Sequence, residues 1–250
     1  MEPDSGARAR LPLLCCALAI AVTGLFSFPA FAAGGAVESS RPAPIASYLM
    51  ADRVEETALA RSAAPPGIGA ASAVWLLEAD GYRETVAGTN GFACLVGRAW
   101  SAPLRFVNGV ANDEFWNPRV RAPMCLNPEA VRTILPVLQR RTELAIAGKS
   151  LGEIEADANA RFAAGSFRPP HGLAMSYMFS KDQYLGDRVR HFTPHVMLYA
   201  PFTENADWGD SSGRSGWPFV GENQGNAHAL VIIPVGRWSD GSAVAPAGAH

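Results

Sequence analysis

Five consecutive apolar residues, Phe92-Ala93-Cys94-Leu95-Val96, follow the turn signal Thr89-Asn90-Gly91 and run into Gly97-Arg98. An apolar run without alternation marks a strand covered on both faces, in the middle of a sheet. Side chains alternate across a strand, so Phe92, Cys94 and Val96 share one face and Ala93 and Leu95 the other. The rest of the chain is expected to pack onto this stretch or be tied to it.

The residues before it read as two more strands. Ala73 to Ala79 and Tyr82 to Ala87 flank Asp80-Gly81, a hairpin signal because both central turn positions favour positive φ. With the strand from Phe92 to Arg98 they predict a three-stranded antiparallel meander. Further back, Ala46 to Ala63 predicts a helix with Tyr48, Leu49, Val54, Ala58 and Leu59 as its apolar stripe and Asp52, Arg53, Glu55 and Glu56 outside it. Pro65-Pro66-Gly67 stops it.

Residues 11 to 37 carry no charge and follow Arg8 and Arg10, the pattern of an export signal. Ala30-Phe31-Ala32 supplies a small-x-small cleavage site, so the mature chain is expected to begin at Ala33. The expected organisation is a signal peptide at 1–32, a flexible linker at 33–44, one domain at 45–240 and a disordered tail at 241–250. Removing the signal leaves Cys94 and Cys125 as the cysteines of the mature chain. Export to an oxidising compartment favours a disulfide between them over two buried thiols. The destination is periplasmic or secreted.

The net charge of -2 and the presence of only two lysines, Lys149 and Lys181, give no basic footprint for nucleic acid. No cofactor and no membrane contact after cleavage are expected. The partners of such a domain would be an envelope protein, a peptide or a glycan.

Between Cys94 and Cys125, residues 99 to 127 show little periodicity and carry Trp100, Phe106, Phe115 and Trp116; they read as a long loop that the disulfide would pin. Asn127-Pro128-Glu129 then opens a helix, whose apolar residues are Val131, Ile134, Leu135, Leu138, Leu144 and Ile146. Pro136 should kink or divide it. Gly148 ends it, and Ser150 with Glu153 forms a capping box for a further helix to about Ala164. Strands are expected at Leu173 to Ser180, His195 to Ala200 and Ala229 to Val235, with a Gly- and Ser-rich connection from Pro201 to Asn226. The predicted fold is therefore α+β: an antiparallel sheet of about six strands in the order β-β-β-α-α-β-β-β, helices on one face, and an N-terminal helix.

Several residues have chemistry to offer. His195 with Asp187, Asp207 or Asp240 would make a general acid/base pair if they met, because a carboxylate orients an imidazole and tunes its pKa. His191, His195 and His228 are the metal candidates, although His191 and His195 lie about 13 Å apart in an extended chain. Gly209-Asp210-Ser211-Ser212-Gly213 has the spacing of a nucleophile elbow, but the strand and helix that the motif needs do not flank Ser211. Trp116, Trp208, Trp217 and Trp238 form a binding surface if exposed together, or cap core edges if buried.

Thr89-Asn90-Gly91-Phe92-Ala93-Cys94-Leu95-Val96, Phe115-Trp116-Asn117-Pro118, Pro123-Met124-Cys125-Leu126-Asn127-Pro128, Pro194-His195-Val196-Met197 and Trp238-Ser239-Asp240-Gly241 together resemble a family of secreted bacterial proteins with no assigned activity. The resemblance implies a single exported domain and brings no catalytic residue or cofactor with it. The expected function is that of a non-catalytic binding or envelope-associated domain. The alternative is a hydrolase or metal-dependent enzyme centred on His195 with a carboxylate partner.

Overall fold

The computed structural model describes residues 42–101, 115–187, 189–209 and 216–245. The export segment, Phe106 and Ser211 lie outside the described residues. The fold is α+β, as expected, with eight strands rather than about six. These are β1 (Ala73–Glu78), β2 (Gly81–Val86), β3 (Ala93–Gly97), β4 (Ala122–Leu126), β5 (Ala174–Met178), β6 (His195–Tyr199), β7 (Phe219–Glu222) and β8 (Leu230–Pro234). They form one sheet in the order β2-β1-β3-β4-β5-β6-β8-β7.

All five residues of β3 are buried. The faces divide as the alternation requires: Ala93 and Leu95 enter one core cluster, Cys94 and Val96 the other. The meander, however, is corrected. β1 pairs antiparallel with β2 but parallel with β3, through Ala73–Ala93, Val74–Cys94 and Trp75–Leu95. The chain leaving β2 crosses the start of β1 before entering β3, held by bonds from Thr89 N to Ala71 O (2.8 Å) and Ala73 N to Phe92 O (2.9 Å). At the crossing a Cβ on Gly88 would lie 2.1 Å from the Ala73 nitrogen, so no other residue fits. The β1–β2 turn is also one residue early, since Glu78 pairs with Gly81 and Gly81 alone in the turn has positive φ.

β4 and β7 are the two strands that the sequence pattern conceals. β4 contains Pro123, ordinarily an edge residue. It is accommodated because β4–β5 pairing is confined to Cys125–Tyr177 and Leu126–Ser176, so Pro123 lies beyond that ladder. On its other side β4 pairs with β3 along its whole length and sets Cys94 opposite Cys125. Those two cysteines form the disulfide, with Cα atoms 4.0 Å apart. A covalent link between adjacent strands thus ends the long connection, as expected.

The helices are α1 (Arg53–Arg61), α2 (Pro66–Ala71), α3 (Pro128–Thr133), α4 (Leu135–Ile146) and α5 (Leu151–Ala163). Asn127 caps α3 through a bond from Ala130 N, and Pro136 lies in the first turn of α4. Pro136 therefore divides the helix at Ile134. The Ser150–Glu153 capping box opens α5. Residues of α3, α4 and α5 join the Leu95 side of the core, whereas Ala60 of α1 joins the disulfide side. The helices after β4 thus share one face, as expected, and the N-terminal helix α1 covers the other. The reason is β3: its two buried faces each need a cover.

The first helix also differs from expectation in its start and its stripe. Residues 45–47 make a separate 3₁₀ turn, and Asp52 caps α1 by accepting from Val54 N (2.7 Å) and Glu55 N (3.1 Å). Val54 is 79% exposed, while Glu56 is 2% exposed. Glu56 accepts from Arg98 Nη2 at 2.7 Å, and Arg98 itself is wholly buried. Arg98 further donates from Nε to Tyr48 O (2.8 Å) and from Nη1 to Val96 O. Tyr82 Oη donates to the same Val96 oxygen at 2.6 Å. Beyond the domain's last strand, residues 241–244, placed in the tail by the sequence, make bonds such as Val244 N to Gly236 O (3.1 Å).

Urea unfolding checks both the backbone crossing and the buried ion pair. Gly88→Ala should cost at least about 3 kcal/mol, whereas Gly152→Ala, in an open position on α5, should gain about 0.5 to 1 kcal/mol. Glu56→Gln should cost about 3 to 5 kcal/mol by stranding a buried cation, and Glu56→Leu/Arg98→Met should recover most of that loss. A double variant no more stable than Glu56→Gln would refute the ion-pair account.

Candidate functional site

The histidines named from the sequence occupy three different environments. His195 opens β6 and is 3% exposed. Its Nδ1 meets the Thr193 carbonyl at 2.8 Å, and its ring stands edge-on to Phe192 at 5.2 Å. Burial pushes its pKa down to about 4, against which the Thr193 contact acts in the opposite direction. His191 is exposed on the preceding segment. His228 precedes β8, is 7% exposed and stacks flat on Phe162 of α5, with ring centroids 4.9 Å apart.

The carboxylates proposed as partners of His195 are engaged elsewhere. Asp240 accepts from Lys181 Nζ (2.6 Å) and from Ser242, contacts that hold its carboxyl far below the usual range. Asp187 accepts from Tyr184, Arg119 and Asn117, and Asp207 from Thr203 Oγ1 and Glu204 N. The structure thus does not assemble the acid/base pair. Among the described residues no three of His, Cys, Asp and Glu converge in a metal-binding group.

The tryptophans are dispersed by the same kind of local anchoring. Trp116 is buried, packs edge-on to Phe115 and accepts from Tyr48 Oη through its carbonyl at 2.8 Å. Trp208 is half-buried and donates from Nε1 to Thr203 Oγ1 at 2.8 Å. Trp238 is half-buried beside Phe179 and Pro65 in a shallow surface depression. Trp217 is 65% exposed. Among the described residues, these four present no joint exposed aromatic surface.

A different place in the fold combines a cavity with unspent polar capacity. It lies where α4 crosses the Leu95 side of the sheet and has a volume of about 40 Å³. Ile134, Val137, Leu138 and Arg141 line it from the helical side, and Met124, Met197, Tyr199 and Leu230 from the strands. Ser101, Asn223 and His228 complete it from the connections. Its walls are mostly apolar, and two of the polar atoms there lack a partner: Arg141 Nε and His228 Nδ1.

Arg141 is 6% exposed, and among the described residues its one hydrogen bond is a long contact of 3.4 Å from Nη1 to Ser101 O. Among the described residues it has no carboxylate partner. Helix geometry puts it there: Leu138, Arg141, Thr142 and Ala145 fall at i, i+3, i+4 and i+7, and all four are buried. The apolar residues Leu144 and Ile146 point to a different stripe in the sequence, and the structure buries Thr142 and Ala145 instead. The same stripe holds Thr142 Oγ1 under Trp100 Nε1 at 3.1 Å. The charge of Arg141 also acts on His228. Burial first, and then the nearby guanidinium, depress the His228 pKa to about 4.

No protein-family model, curated protein or solved structure matches this chain. The class that fold and site define is an α+β domain of a single eight-stranded sheet, clasped by a disulfide, with a cationic cavity under its fourth helix.

The buried histidines make acid stability a test of this geometry. An unfolded histidine takes up its proton near pH 6.5, the native ones only near 4. Between those values the unfolded state holds more protons, so stability is complete above about pH 6.5 and falls as pH drops toward 4. Each histidine should account for roughly 3 kcal/mol of that fall. Urea midpoints between pH 4 and 7 should therefore slope less steeply in His195→Gln than in the parent; equal slopes would place His195 in water.

Proposed function

We propose that this chain is an exported, non-catalytic binding domain whose ligand site is the cavity beneath α4. One observation carries the binding assignment: Arg141 is buried against an apolar cavity with its Nε unpartnered and no carboxylate beside it among the described residues. A buried guanidinium without a counter-charge costs several kcal/mol, and the fold keeps one while satisfying its neighbour Trp100 fully enough to bury it. A ligand that brings the missing acceptors offsets that cost. Buried polar groups converging on an apolar hollow are the usual composition of a small-molecule site.

Export rests on other features. The uncharged run at 11–37 behind Arg8 and Arg10 supports a cleaved signal, and the Cys94–Cys125 disulfide suits an oxidising compartment. The resemblance to secreted bacterial proteins points the same way. No helix among the described residues is long and apolar enough to cross a membrane. The non-catalytic assignment is favoured because His195 is spent on Thr193 and Phe192, and Asp187, Asp207 and Asp240 on other partners.

Expression of the full chain in a bacterial host should deliver a species beginning at Ala33 to the periplasm or medium, oxidised at both cysteines. Intact-mass analysis with and without alkylation reads both properties. An intact N-terminus in the cytoplasmic fraction, with all four thiols alkylated, would refute export.

A further inference from the structure

We propose that the cavity under α4 is a site for a carboxylate the size of acetate, its carboxylate on the Arg141 guanidinium and its methyl group against Leu138, Met124 and Met197. This rests on the cavity being the binding site of the domain and names the ligand chemistry that it takes.

The assignment follows from what Arg141 has left to give. A guanidinium recognises carboxylates by a two-pronged contact through adjacent N–H groups. Nη1 of Arg141 is used in its 3.4 Å contact with Ser101 O, whereas among the described residues neither Nε nor Nη2 makes a hydrogen bond, so the Nε–Nη2 edge is open for such a contact. His228 Nδ1, also without a partner, faces the same hollow and offers a third polar contact, as donor or acceptor by its tautomer. A cation and a second nitrogen ligand, with no acid among the described lining residues, select an anion over a neutral or cationic guest.

Size and wall chemistry narrow the class. A hollow of about 40 Å³ holds a few atoms rather than a sugar or a peptide side chain with its backbone. The lining is dominated by Met, Leu, Ile and Val carbons, which reward burial of an alkyl group and penalise the extra hydration of a dianion such as phosphate. The two methionines, Met124 and Met197, are unbranched and close on a small apolar group. A single negative charge matches a single guanidinium.

The test uses the mature, oxidised protein dialysed free of organic acids, with acetate, its neutral isostere acetamide, chloride and phosphate as probes. Calorimetric titration and thermal melts are both read. Acetate should bind saturably and raise Tm, and acetamide should bind at least about tenfold more weakly, as expected when a charge-assisted contact is lost. Arg141→Met should lower acetate affinity by a similar factor. Val137→Phe, which keeps Arg141 and fills the cavity, should abolish it. Because the four probes are compared on the unaltered protein, failure of either variant to fold does not spoil the test. Equal binding of acetate and acetamide overturns the carboxylate assignment while leaving an apolar binding cavity. A response to chloride or phosphate alone overturns it in favour of an inorganic-anion site. Silence with all four probes overturns the binding reading as well, and leaves Arg141 served by water.

Discussion

The buried pair of Glu56 and Arg98 is the constraint on which the two-sided architecture depends. Glu56 belongs to α1 on the disulfide side of the sheet, and Arg98 directly follows β3 at its centre. Through its remaining donors Arg98 also fixes Tyr48 O, beside the 3₁₀ turn, and Val96 O, which Tyr82 of β2 approaches as well. One guanidinium thus ties together a helix, a turn and the ends of two strands that are not neighbours in the sheet. In a low dielectric such a pair adds little net stability against an apolar replacement. Its effect is on uniqueness: with both partners unable to leave water unpaired, α1 has one acceptable position over β3, and sliding by a turn would strand two charges.

The neighbouring Arg121 shows that the cluster is close to its limit for positive charge. Burial, and then the Arg98 charge, lower its pKa to about 10. It survives by donating to the carbonyls of Pro118 and Val120, both at 2.8 Å. These carbonyls belong to the connection entering β4, so the same electrostatic knot that seats α1 also shapes the approach to the disulfide strand. The covalent bond between Cys94 and Cys125 then closes a loop whose start is held by Arg98 and whose end is held by Arg121.

How legible this was in the sequence depends on the range of the deciding force. The alternation of β3, the Asn127 cap, the break at Pro136 and the Ser150 capping box were all readable, because each is decided within a few residues. The parallel pairing of β1 with β3 was not, since nothing local distinguishes a hairpin return from a crossing; Gly88 carried the only trace, as a residue whose missing side chain lets two backbones meet. β4 was hidden by Pro123 and by the aromatic residues before it, β7 by the glycines around it. Glu56 and Val54 exchanged places for a related reason. Helical periodicity identifies a stripe by its apolar residues, and a buried carboxylate with a distant arginine defeats it. Beneath α4, His228 is legible in the sequence only as one of three metal candidates, and Arg141 is not legible at all, because a charge on an amphipathic helix is ordinarily a solvent-facing one.

Arg98 and Arg141 are therefore best understood as a contrast within one core. Both are arginines on buried positions of regular or near-regular backbone, and both sit among apolar side chains. Arg98 spends donors on a carboxylate and two carbonyls, and no cavity adjoins it among the hollows described. Arg141 keeps Nε unspent and adjoins a hollow. If burial of arginine were merely tolerated by this fold, the two would be expected to find similar internal partners, since carbonyls are available to both. Leaving one unsatisfied next to empty space concentrates the unfavourable energy at a single point, where an added anion recovers it directly. The scaffold role belongs to Glu56 and Arg98, and the proposed binding residue, Arg141, lies on the opposite face of the same sheet.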